Sequence, residues 1–72
     1  VQTRIPVFLP VSVGKAEIIF YSNEGRVIQT MLLFDRGEFS VLADTVTLAS
    51  GIYSYTLYVD GKPVETKRMV KN

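Results

Sequence analysis

The chain has 72 residues with no cysteine and no histidine, so it offers neither a disulfide staple nor a thiolate metal site, and it lacks the commonest metal ligand and general base. Its 8 basic and 7 acidic residues leave a net charge of +1, too weak a field to point to nucleic acid or an anionic membrane surface. Although 47% of the residues are hydrophobic, no stretch approaches the roughly 20 apolar residues of a spanning helix.

A chain of this size buries only about 60% of the surface that it exposes when unfolded. Its core is therefore expected to be thin and held by packing alone, or by packing helped by a partner. The start at Val1 lacks the charged region and apolar run of a secretory signal. It is read as a processed piece, or as a piece whose export signal belongs to a longer parent. No internal repeat, low-complexity tract or linker interrupts the sequence, so residues 1–72 are expected to form a single domain.

Turn signals recur at short spacing: "PVSVG" at 10–14, "SNEGR" at 22–26, "DRGE" at 35–38, "ASG" at 49–51 and "DG" at 60–61. Between them lie segments rich in Val, Ile, Phe, Tyr and Thr, and no window has a helical period. The pattern predicts an all-β, antiparallel sandwich of about six to seven short strands. The first, "TRIPVFL", sets Ile5, Val7 and Leu9 on one side, and Pro6, which cannot donate to a ladder, predicts that it lies at an edge or begins there.

In "KAEIIFYS" Ala16, Ile18 and Phe20 form one face while Ile19 and Tyr21 occupy the other. In "RVIQTMLLF" Val27, Met31 and Leu33 are expected on one face, with Ile28 and Leu32 opposite. Strands apolar on both faces predict a cover over the outer sheet surface, so Ile19, Tyr21, Ile28 and Leu32 form a candidate assembly face. "GEFSVLA" alternates with Phe39, Val41 and Ala43 in phase. Val46 and Leu48, in the crossing that follows, are expected to plug the end of the sandwich.

Asp60-Gly61 is a two-residue turn signal of the kind that needs positive φ at both positions. Simple register then opposes Val59 to Lys62, Leu57 to Val64, Tyr55 to Thr66 and Tyr53 to Arg68. Tyr53, Tyr55, Leu57 and Val59 become the core stripe. Tyr58 with Pro63, Thr56 with Glu65, Ser54 with Lys67 and Ile52 with Met69 take the other face. Pro63 makes the last strand an edge, which Lys62, Glu65, Lys67, Arg68 and Lys71 either guard with charge or offer for recognition. Arg68 sits awkwardly on the tyrosine face. Either its stem packs across Tyr53 with the guanidinium at the rim, or a bulge shifts the tail and sends Met69 inward.

Catalysis is not expected, and no cofactor or metal is implied. Triads and zinc sites lose their usual histidine, Gly-rich phosphate loops are absent, and a sandwich of this size hardly has a cleft for paired carboxylates. Asp35 and Glu38, flanking Gly37, lack the further oxygen ligands that calcium requires and are read as turn chemistry. Tyr21 and Tyr58, on the outer faces, are the better aromatic candidates for ligand or partner contact, but supply only a sparse platform for a carbohydrate-binding module.

"LASGIYSYTLYVDG", with Leu48 and Gly51 ahead of Tyr53, looks like a tyrosine corner, in which the hydroxyl bonds back to the upstream backbone. Taken with "AEIIFYSNEGRVIQT" and "DGKPVETKRMVK", the chain resembles the C-terminal sorting domains of the type IX (Por) secretion system, compact Ig-like β-sandwiches at the ends of exported proteins. The matching positions are Asn23, Gly25 and Val27 in the first turn, Leu48, Gly51, Ile52 and Tyr53 at the corner, and Lys67, Arg68, Met69, Val70 and Lys71 in the terminal strand. The Asn-Pro segment that often opens such domains has no counterpart, while "IPVFLP" resembles what commonly follows it.

The resemblance implies a non-catalytic sorting signal that directs a parent protein across the outer membrane. Its partners would be secretion-machinery proteins and a sortase, with no nucleic acid and no membrane insertion. Its location would be the periplasm in transit and then the cell surface or exterior. Lys67 to Lys71 would be the recognised element. The alternative is a structural Ig-like assembly module of a surface fibre or filament, self-associating through the apolar outer face.

Overall fold

The computed structural model describes residues 2–44 and 48–71. Six strands account for most of them: β1 (Gln2–Leu9), β2 (Ala16–Ser22), β3 (Val27–Leu33), β4 (Gly37–Asp44), β5 (Gly51–Val59) and β6 (Lys62–Lys71). Every pairing is antiparallel. β1 and β4 make a two-stranded sheet, and the order β3-β2-β5-β6 makes a four-stranded one. The all-β reading holds, with six strands among the described residues.

The core lies between the two sheets. Ile5, Val7 and Leu9 of β1 and Val41 and Ala43 of β4 meet Ala16, Ile18 and Phe20 of β2, Leu33 of β3 and Met69 of β6. These sets follow the period of two that brings alternate side chains to one face. Tyr53, Tyr55, Leu57 and Val59 pack against the same cluster, and the Phe20 and Tyr55 rings sit 5.8 Å apart in a tilted contact. Leu48 also packs on the core, as expected of an end plug; Val46 lies outside the described residues. Pro6 sits in β1, which among the described residues pairs with β4 alone, so its missing N–H is accommodated at an edge.

Two bulges correct the expected faces. In β3, Gln29 opposes Phe20 but Val27 opposes Tyr21, which leaves Ile28 without a ladder partner. Val27 is thereby turned to the outer face with Tyr21, away from Met31 and Leu33. In β6, Tyr58 still opposes Pro63 but Leu57 opposes Glu65, so Val64 is the extra residue. From there to Lys71 every pair is one residue away from simple register: Tyr55 faces Lys67, Tyr53 faces Met69, Ser54 faces Arg68 and Ile52 faces Val70. A bulge flips every side chain beyond it, and here it exchanges a charged Arg68 for an apolar Met69 on the core face.

The β5–β6 turn has Asp60 at φ 50° and Gly61 at φ 82°, the positive values that this two-residue hairpin demands. It is stitched to the β2 entrance. The Asp60 amide donates to the Lys15 carbonyl at 2.7 Å, and the Asp60 carboxylate accepts from the Lys15 amide at 2.8 Å. A Cβ at Gly14 would stand 2.9 Å from the same carboxylate oxygen, so a side chain there would displace the Asp60 carboxylate.

Candidate functional site

The site built by the last strand depends on how β6 is held. It pairs along one side with β5 and, among the described residues, with nothing on the other. Met69 is its anchor, 6% exposed in the core. Val70, 61% exposed, shares the outer face with Ile52, and Arg68 shares it with Ser54. Lys67 is exposed on the opposite face, beside Tyr55. Lys71 is half-buried opposite Gly51. The five residues singled out for recognition are therefore continuous in sequence but divided in space. Lys67, Arg68 and Val70 are accessible, whereas Met69 serves the core.

The tyrosine corner is present. The Tyr53 hydroxyl donates to the Ala49 carbonyl at 2.6 Å, tying the approach to β5 onto the strand that Met69 covers. At the other motif, Asn23 and Gly25 are exposed members of the turn between β2 and β3. Their geometry is set by Ser22, whose hydroxyl accepts from the Glu24 amide at 3.3 Å and the Arg26 amide at 3.2 Å. The Gly25 amide closes onto the Ser22 carbonyl at 2.9 Å. Asn23, Gly25, Leu48, Gly51, Tyr53, Asp60 and Gly61 thus mark turns and corners spread over the fold rather than one pocket.

The outer face of the larger sheet carries the expected assembly residues unequally. Ile19 and Tyr21 are half-buried, Ile28 is just exposed at its bulge, and Leu32 is 50% exposed. Tyr21 and Tyr58 lie two residues to either side of the Ile19–Thr56 cross-strand pair, and their hydroxyls meet at 3.0 Å. This bridge explains why Thr56 is only 5% exposed although it faces outward. Its hydroxyl is satisfied by that of Thr66 at 2.8 Å. The bond to Tyr58, then desolvation, then the charges of Tyr58 and Glu17 raise the Tyr21 pKa above its ordinary value. These two tyrosines are engaged with each other.

Sequence reasoning missed Arg36. Its guanidinium donates to the carbonyls of Val13 at 3.1 and 3.3 Å, Gly14 at 3.1 Å, Asp35 at 2.8 Å and Leu33 at 3.4 Å. It ties the β1–β2 connection to the β3–β4 connection. No sequence signal distinguishes this arginine from a solvated charge, because the acceptors that make it a tie, Val13 and Gly14, are backbone groups 23 and 22 residues away. Among the described residues no group of three or more Asp and Glu side chains is placed to hold a metal ion. Comparison with known protein families, with curated proteins and with solved structures finds no match to this chain.

Proposed function

We propose that the chain is a non-catalytic sorting domain of the type IX secretion kind, read by its export machinery through the last strand. The observation that carries this reading is the division of labour in β6. Met69 fixes the strand to the core, while Lys67, Arg68 and Val70 stand exposed on a strand whose outer edge has no described partner. A strand held in this way presents a defined row of side-chain groups to a receptor at little ordering cost. The tyrosine corner and the Ser22–Arg26 turn, which coincide with the other positions of the resemblance, hold the sheet that supports it.

The test is export of a periplasm-directed reporter fused ahead of residues 1–72 in a bacterium with type IX secretion. The charge reversals Lys67→Glu and Arg68→Glu, made together, should abolish surface display while the domain stays folded. Display of the charge-reversed fusion at the level of the unaltered one would overturn the reading. A second reading, an assembly module of a surface fibre, is favoured by the exposed apolar side chains Val27, Leu32, Ile52 and Val70 on the outer face. It predicts that Leu32→Lys, not the terminal charges, disrupts function.

A further inference from the structure

The larger sheet has two edges, and they are built differently. β6 carries Lys62, Pro63, Glu65, Lys67, Arg68 and Lys71, the charges and proline that discourage another strand from pairing. β3, with the sequence VIQTMLL, has neither a charge nor a proline. Among the described residues no strand pairs with its outer side. Its bulge at Ile28 leaves Gln29 to Leu33 in regular register with β2. Val27 and Leu32 are each about half exposed, and Phe34, just past the strand, is 83% exposed. Past the bulge, from Gln29 to Leu32, such an edge presents N–H and C=O groups with no charge or proline to repel a partner strand.

We infer that β3 pairs antiparallel with β3 of a second copy about a twofold axis, joining two four-stranded sheets into one of eight strands. Charge selects the second copy as the occupant. Antiparallel pairing sets the beginning of one strand beside the end of the other. Here the beginning is flanked by exposed Arg26 and the end by exposed Asp35, so opposite charges meet at both ends by symmetry. The uncharged strand between them sets no like charges across the axis. Phe34, at the same junction, gains cover from the stem and guanidinium of Arg26 of the second copy. The same operation on β6 would bring Lys62 of one copy toward Lys71 of the other, basic end to basic end. The pairing uses the edge opposite to β6 and is independent of the sorting reading.

Sedimentation of residues 1–72 from micromolar to millimolar concentration should show a reversible monomer–dimer equilibrium. Thr30→Lys, at an exposed position in the middle of β3, should weaken it about tenfold or more by confronting like charges across the axis. Val64→Lys on β6 should leave it unchanged. Arg26→Asp and Asp35→Arg should each weaken the dimer, and the double swap should restore it. Thermal unfolding of each dilute variant checks that the fold persists. A monomer at every concentration, a dimer indifferent to Thr30→Lys, or a double swap no tighter than the single variants would overturn the inference.

Discussion

Arg36 shows how one side chain stabilises two connections that have no ladder of their own. Each charge-assisted bond to a backbone carbonyl is worth more than a neutral one, because an ionised donor strengthens it. Arg36→Ala should lower the unfolding free energy by about 2 kcal/mol in urea titrations. Arg36→Lys should recover only part of that, since a single ammonium cannot reproduce the planar fork. The Tyr21–Tyr58 bridge makes a separate prediction in pH. Because the Tyr21 pKa is raised in the folded chain, the unfolded state loses its phenolic proton first as pH climbs. The contribution is therefore fully present below the ordinary tyrosine pKa of about 10 and is lost as pH rises through the higher folded value. The unfolding midpoint should fall more steeply above pH 10 in the unaltered chain than in Tyr21→Phe.

At the scale of the strand, the Val64 bulge decides what β6 is for. Without it Arg68 would face Tyr53 and the core; with it Met69 takes that place. Met69→Ala should cost about 2–5 kcal/mol, the range for truncating a buried methionine. Arg68→Ala, at an exposed position, should stay within about 0.5 kcal/mol. Equal costs at the two positions would contradict the bulged register. The hairpin turn itself was legible, because Asp60-Gly61 has few other uses and its positive φ values follow from that chemistry. The bulge was legible only as an alternative. Both registers satisfy the turn, and Met69 and Arg68 are neighbours, so the choice rests on which of them the opposite sheet can bury.

Across the whole molecule, the thin core makes the last strand structural as well as accessible. Deleting residues 67–71 removes Met69 and the partners of Gly51 to Tyr55, so the melting temperature should drop by on the order of 10 °C or more. Lys67→Glu with Arg68→Glu should leave it nearly unchanged. Loss of export on truncation alone therefore could not separate a missing address from a missing fold, which is why the charge-reversed variant carries the test. The sequence by itself determined the all-β class, the inward sets of β1, β2, β4 and β5, the edge positions of Pro6 and Pro63, the tyrosine corner and the closing turn. Each follows from local rules: a period of two, a missing N–H, a required φ. Only the tertiary structure decided the two-and-four division of the sheets, the bulges at Ile28 and Val64, the Arg36 tie and the Tyr21–Tyr58 bridge. All four depend on groups that are distant in the chain or on a register that local preference leaves degenerate, and packing of the two sheets against one core resolves them.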